Sequence, residues 1–563
     1  MVGRLKCAPL LGVSLLLAAC AGPVQPRPES AAAPAAEPPP AETGAGAFLA
    51  GRDAQGHHDL ARASLYLTEA LALDGDNVEI LHRTAIAYAM QGRIDEAAQL
   101  ASRLEAFDEE STVPAMLLAE RRAKAGDWAG MEALIDGLPA RGLNAYLLPL
   151  CRAWAKVGQG RTDEAMAALA PLERAPGMAL LHDYSAGLIA DLAGRNDVAE
   201  GFYRATLAGG AGRTLRTVAI VAGFLHRTGR DAEARQLLDD FHRDHADLPA
   251  VPVPERRVVN TAADGLAEAY FGASLTLRQA NLPDLALIFS QLALDLQPDF
   301  PLARVMAGDI LANLDQFDAS NRLYRTVAAS SPYYRTAQLR VSRNLEDSNK
   351  VEEAAALLRR LAEAAPDQAD AWLTLGDMWR RQKRWLDAVE AYDKALSVLK
   401  GDERAQWPVY YARGVALERA NLWPRAEADL LRALQLQPDE PEVLNYLGYS
   451  WIEQGTNLAR ATEMIERAVK LRPQDGFIID SLGWAFYRSG DYERAVETLQ
   501  RAVTLEPGDA AINDHLGDAL WSAGRTEEAR FQWRHALESD PDPDLKAQLA
   551  DKLKQTGRNK DAE

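Results

Sequence analysis

From about residue 284 to the C-terminus, apolar and polar positions recur on one long period. One period reads Ile479-x-x-Leu482-Gly483-x-x-Phe486, then Gly490-x-Tyr492, Ala495, Leu499, Ala502 and Pro507. The next gives Leu516-Gly517-x-x-Leu520, Gly524, Ala529, Trp533, Ala536 and Pro541, and an earlier one Trp372-x-x-Leu375-Gly376-x-x-Trp379, Trp385, Ala388, Tyr392 and Ala395. Each period predicts two antiparallel helices joined by a short turn. Small residues at Gly483 and Ala495 let the two backbones approach, and larger ones at Phe486, Tyr492 and Leu499 fill the space around that contact. Pro507 stops the second helix, because it lacks an N–H donor and restricts the residue before it.

The small residue opening the second helix can be followed along the chain at Ala63, Ala97, Met131, Ala165, Ala199, Ala234, Ala286, Ser320, Ala354, Ala388, Ala426, Ala461, Ala495 and Ala529. The spacings are 34, 34, 34, 34, 35, 52, 34, 34, 34, 38, 35, 34 and 34. A closing proline recurs at Pro298, Pro332, Pro366, Pro438, Pro473, Pro507 and Pro541. This pattern resembles the tetratricopeptide repeat, with its period of about 34 residues. The resemblance implies an all-α solenoid of about 14 helix pairs, several of them degenerate before residue 284, where Met131 and the glycine-rich stretch 157–161 depart from the pattern. One pair cannot bury its apolar face alone; stacking on its neighbours completes the core.

Two breaks divide the array. The spacing of 52 carries 18 extra residues around Asp247-Leu-Pro-Ala-Val-Pro-Val-Pro-Glu255. That proline-rich stretch predicts a joint at 247–260, between a degenerate N-terminal arm, 47–246, and a regular C-terminal arm, 261–541. The spacing of 38 predicts a smaller loop insertion around 400–407. Leu545, Leu549 and Leu553 then recur every four residues among polar ones, which predicts a capping helix within 542–563.

The N-terminus follows other rules. Arg4 and Lys6 precede an apolar stretch from Cys7 to Ala19, too short to span a bilayer and suited to a signal peptide at 1–19. Leu17-Ala18-Ala19-Cys20 resembles the bacterial lipobox, which implies cleavage before Cys20 and its lipidation. Several acyl chains on one residue anchor lastingly, since each buried methylene contributes about 0.8 kcal/mol. Ala21 stands where an aspartate would signal inner-membrane retention, so the outer membrane, periplasmic side, is expected. Residues 20–46 then form a Pro/Ala-rich tether with seven prolines, expected to be extended, at most ~80 Å long.

Charge narrows the partners. The 563 residues hold 62 basic and 81 acidic side chains, a net −19. Loss of Arg4 and Lys6 on processing would leave 60 basic against 81 acidic, a net −21. An acidic body disfavours nucleic acid and favours basic partners. Of three cysteines only Cys151 would remain a thiol, and its apolar helical surroundings predict a core position. No nucleophile elbow, phosphate-binding glycine loop, His-Glu-x-x-His or Cys-x-x-Cys occurs, so no enzyme, cofactor or metal is expected. His242 and His245, three apart near Asp244 and Asp247, are read as a solvated helix end.

The repeat resemblance implies that first helices line an inner surface. Offsets around the Leu-Gly pair then give Asn445, Tyr449, Ile452 and Glu453; Asp480, Trp484, Tyr487 and Arg488; and Asp514, Asp518 and Trp521. Aromatics beside carboxylates suit a partner-binding groove. The bland alternative is that Tyr449, Trp484 and Trp521 pack between repeats, since nine of eleven tryptophans lie after residue 370. Phe271 and Arg278 occupy similar offsets further up the chain.

Lipobox, tether and repeats together, with the Asn445-Tyr-Leu-Gly448 and Asp480-Ser-Leu-Gly-Trp484 stretches, resemble proteobacterial outer-membrane lipoproteins that partner a periplasmic carboxyl-terminal processing protease. That resemblance implies a non-enzymatic adaptor, delivering substrates such as peptidoglycan hydrolases to the protease and activating it. An assembly scaffold for exopolysaccharide export or a pilus secretin is the alternative.

Overall fold

The computed structural model describes residues 43–558, apart from 108–111, 246–250 and 400–402. The signal peptide, Cys20, nearly all of the tether and the start of the proline-rich joint lie outside the described residues. Within them all regular structure is helical, in fourteen helix pairs, a short extra helix, Ala170–Arg174, after the fourth, three 3-10 turns and a final helix, Pro543–Arg558. The first pair is Gly44–Gly56 with Leu60–Leu73; the fourteenth is Ala510–Ser522 with Thr526–Glu538.

All fourteen tracked small residues are fully buried, at 0% exposure, Met131 and Ser320 included. Five residues before nearly every one stands a residue with positive φ, from His58 at 55° to Gly490 at 84°. In the twelfth pair the offset is six, with Gly455 and a second left-handed residue, Asn457. Reversing the chain between two helices in so few residues needs this conformation. Glycine adopts it freely, and asparagine or aspartate tolerates it. The turns thus run Gly92, Gly126, Gly160, Gly194 and Gly229, then Asn281, Asp315 and Asn349.

Glycines on the first helix meet a large side chain sixteen residues later. A Cβ on Gly376 would lie 2.6 Å from the Tyr392 ring, one on Gly483 2.5 Å from Leu499, and one on Gly517 2.4 Å from the Trp533 ring. Where the seventh pair has Ser274 in place of glycine, its hydroxyl bonds Ser290 Oγ at 2.7 Å. In several pairs the large residue is also tied by a hydrogen bond. Tyr324 Oη donates to Asp309 at 2.6 Å, Tyr392 Oη to Asp377 at 2.6 Å, and Trp533 Nε1 to Asp518 at 3.0 Å. In each case the aspartate directly follows the glycine.

The chain forms two compact units. One holds the described residues up to Phe224 together with Arg256–Pro298; the other holds Leu225–Glu255 and Asp299 onward. This differs from the expected division, in which 261–298 opened the C-terminal arm. The seventh pair, Ala262–Gln279 with Pro283–Leu296, packs instead against the first helices of earlier pairs: Val78–Met90, Thr112–Lys124, Asn144–Gly158 and Ala179–Leu192. The physical reason is composition. Ala286 through Ala293 are buried without a break, Ser290 and Gln291 included, and a helix with large apolar residues on most of its circumference must be covered on most sides.

In the second unit, pairs stack serially from Pro301–Asn313 onward. Arginines stitch neighbours about one period apart: Arg335 to Asp370, Arg381 to Glu346 at 2.7 Å, Arg384 to Glu352 at 2.6 Å, and Arg432 to Glu403 at 2.7 Å. The four-residue insertion is taken up around a single 3-10 turn, Glu403–Gln406. Pro543–Arg558 packs on Thr526–Glu538 through Leu549, which is fully buried.

Candidate functional site

In the second unit, first helices of successive pairs pack closer together than second helices do, so they form the inner side of the stack. Four of them matter here: Trp407–Arg419, Pro441–Gln454, Gly476–Arg488 and Ala510–Ser522.

The centre is a stack of three rings. Trp484 lies nearly parallel to Tyr487, with centroids 4.7 Å apart, and to His515, 4.2 Å apart. Its Nε1 donates to Glu453 Oε1 at 2.5 Å, and Arg488 Nη1 reaches the same oxygen at 3.1 Å. His515 Nδ1 sits 3.0 Å from both carboxylate oxygens of Asp480. Burial opposes a charge on His515. Asp480, backed by Asp514 and Asp518, outweighs it and holds the imidazole above its ordinary pKa. The stack therefore ties three consecutive pairs together, with Trp484 half-buried against two rings and its N–H engaged.

Beside the stack, one helix carries groups that are less committed. Asn445 Oδ1 is buried with no hydrogen-bond partner. Tyr449, one turn on, is half-buried; burial first, then the charges of Glu453 and Asp480, keep its phenol neutral. Upstream, Tyr446 meets Tyr411 edge-on at 5.9 Å and donates to Glu418 at 2.9 Å. Half-buried aromatics thus run across the inner side from Tyr411 to Tyr487.

Three sequence-derived candidates have a different setting. Asp514 and Asp518 each receive Lys552 Nζ at 2.7 Å, from the final helix. Asp518 also accepts from Trp533, the same bond that Asp309 and Asp377 make in earlier pairs. Trp521 packs on Trp533 at 5.5 Å. These residues form the seam with the final helix. Phe271 is buried in the first unit, and Cys151 is fully buried there, its thiol pushed up to about 12. His245 stacks on Phe241 at 4.3 Å, with Nδ1 3.0 Å from the Phe241 carbonyl oxygen.

His515 escaped the sequence argument. Its signal was an offset: it follows Asp480 by 35 residues, as Arg488 follows Glu453 by 35.

Comparison with known families bears on part of the array. Tetratricopeptide-repeat family models match residues 54–121, 342–406, 411–476 and 481–543. These helix pairs are tetratricopeptide repeats. The repeat chain is 32% identical over 162 residues to the TPR repeat-containing protein PA4667 of Pseudomonas aeruginosa, covering 27% of this chain and 26% of that protein. It is 25% identical over 176 residues to the protein O-mannosyl-transferase TMTC1 of Homo sapiens, covering 31% of this chain and 20% of that one. The chain thus spans about a quarter or less of the length of these two relatives. Among solved structures, the Cut9–Hcn1 complex matches with a TM-score of 0.36 at 15% identity, over 91% of this chain and 95% of that one. A MamA structure matches with a TM-score of 0.27 at 23% identity, over 31% and 91%.

Tetratricopeptide repeats suit protein–protein contact, and the inner strip has the chemistry for it: rigid half-buried rings, one unsatisfied amide and paired charges at the edges. Among the described residues, no cluster of three His, Cys, Asp or Glu side chains stands as a metal site, and no helix is long and apolar enough to cross a membrane.

Proposed function

We propose that the chain is a non-catalytic adaptor that holds a protein partner on the inner side of its C-terminal repeats, around Asn445 and Tyr449. The observation that carries this reading is Asn445 Oδ1, buried without a partner one turn from a half-buried tyrosine. Asn445 as a residue is only half-buried, so its amide can turn outward to a peptide N–H, which would offset the about 1–3 kcal/mol that an unsatisfied buried acceptor costs. The flanking stack of Trp484, Tyr487 and His515 holds the strip rigid, so a partner would not have to order it.

The finer reading is that Cys20 anchors the chain to the outer membrane, facing the periplasm. There it would recruit substrates such as peptidoglycan hydrolases to a carboxyl-terminal processing protease and activate it. Leu17-Ala18-Ala19-Cys20, the Pro/Ala-rich stretch behind it and the long repeat array support this reading.

Affinity capture of the full chain from periplasmic extract, with mass spectrometry, tests the adaptor. Recovery of a processing protease by the native chain, lost with Tyr449→Ala and Asn445→Ala but kept with Trp521→Ala, is the expected result. Recovery of secretin or polymer-export components would replace the protease with an assembly role. Incorporation of labelled palmitate, lost in Cys20→Ser, tests the anchor separately.

A further inference from the structure

The inner side of the first unit already holds an occupant, the docked seventh pair. Its helix Ala262–Gln279 lies on Asn144–Gly158 and Ala179–Leu192, the first helices of pairs four and five. One face of that helix makes the contact. Gly265 sits against the Trp154 ring with no room for a Cβ. Glu268, three residues on, accepts from Tyr184 Oη at 3.0 Å and pairs with Arg216. Positions three apart share a face on a helix and point to opposite sides on a strand. The pair's second helix, Pro283–Leu296, brings Asp295 to Lys124 Nζ at 2.6 Å.

The residues that hold this occupant stand at fixed places before the left-handed turns of their own pairs. Trp154 is six residues before Gly160, Tyr184 ten before Gly194, and Lys124 two before Gly126. In the second unit, six before Gly455 and Gly490 stand Tyr449 and Trp484. Ten before the same two glycines stand Asn445 and Asp480, and two before them Glu453 and Arg488. The candidate strip is therefore built from the positions that grip a helix in the first unit. Its polarity is reversed. In the first unit the strip donates, through Tyr184 and Lys124, and the docked pair supplies the carboxylates. In the second unit the positions ten before the turn are acceptors: Asn445 Oδ1, without a partner, and the Asp480 carboxylate, which His515 engages from one side. The nearby cations are committed, Arg488 to Glu453 at 3.1 Å and Arg419 to Glu418 at 3.4 Å.

We propose that the segment held by the C-terminal strip is an α-helix of the partner protein, laid on Tyr449 and Asp480 as Ala262–Gln279 is laid on Trp154 and Tyr184. It presents a small residue to Tyr449 and, three residues on, a lysine or arginine to the acceptors Asn445 Oδ1 and Asp480. This rests on the adaptor reading and names what the adaptor holds. Beyond its first turn a helix has spent its main-chain N–H groups on itself, so the donor that Asn445 lacks comes from a side chain. A small residue is needed over the ring for the reason Gly265 is needed over Trp154. The basic residue answers acceptors where Glu268 answers donors.

The test is selection of random peptides displayed on phage against the full chain, each 18 residues long like Ala262–Gln279. Such a library favours neither helix nor strand. Peptides kept by the native chain and lost with Tyr449→Ala or Asn445→Ala should lack internal proline. They should share glycine, alanine or serine followed three residues on by lysine or arginine. Synthetic copies, titrated by fluorescence anisotropy, should bind about tenfold or more weakly with a central proline. They should also lose about tenfold when the shared basic residue is replaced by glutamate. Strip-dependent peptides that tolerate the central proline, or that prefer glutamate at that place, overturn this inference and leave the adaptor reading standing. If no selected peptide depends on Tyr449 or Asn445, both fall.

Discussion

The two units solve one problem in opposite ways. Both are stacks of helix pairs whose first helices make an inner side. In the first, that side is covered by the chain's own seventh pair, with Trp154 packed against Gly265 so closely that a Cβ there would fall 2.2 Å from the ring. In the second, the inner side is lined by the Trp484 stack, with Asn445 and Tyr449 left over. The repeats build a concave surface in either case, and what occupies it decides whether that surface is a core or a site.

Truncating the docked pair should give the largest separation between the units. Phe289 is buried at 1% exposure, its ring 5.7 Å from that of Tyr270. Phe289→Ala should cost about 3–5 kcal/mol, and hydrogen exchange should rise across the first unit while 301–558 stays protected. A smaller, local effect is expected where helices approach closely. Gly376→Ala and Ala495→Leu should each cost about 1–3 kcal/mol by overpacking. Amide exchange should show the loss confined to that pair and its neighbours, because each serial pair touches only those; loosening from residue 47 onward would contradict the serial arrangement.

The pH dependence should differ by unit. His515 has a folded value raised above its ordinary one, so its contribution is whole below about pH 6.5 and fades as pH rises through the folded value. Glu120 is also raised, so its contribution is whole below about 4.5 and lost as pH rises through about 9. Urea melts followed by exchange at pH 6, 7.5 and 9 should therefore show the first unit weakening at every step, and the second unit weakening only above about pH 6.5. His515→Gln should flatten the second unit's pH dependence and leave the first unit's unchanged. The smallest effect belongs to the arginine rungs. Arg432→Ala breaks an exposed pair with Glu403 and should cost under about 1 kcal/mol, with no change in partner capture.

Much of this was legible in the sequence, because the repeat writes the same physical demand at the same place. The buried small residue and the left-handed turn five residues before it carry the helix pairing by themselves, even at Met131 and His58, where residue type departs from the rule. What was not legible depends on contacts beyond one period. The seventh pair continues the same pattern, and only its dense apolar run, Leu285 to Phe289, hints in the sequence that it is covered on every side. In the candidate site the offsets found the right helices but could not tell used groups from free ones. Asp518 looks like a groove carboxylate until Asp309 and Asp377 show that an aspartate after this glycine serves the large residue of its own pair. Trp484 looks like an open ring until His515, unremarkable in the sequence, is found lying against it.

The seventh pair also sets what each unit can tolerate over generations. In the second unit, gene duplication or loss of one 34-residue segment rejoins like to like, since every rung runs only to the adjacent pair. Copy number there is free to drift, and the reach of the inner strip drifts with it. In the first unit, one pair touches four others at once, so adding or deleting a copy among them misplaces every one of those contacts together. The N-terminal count is fixed by closure, and length variation among descendants of this chain should fall almost wholly after residue 298.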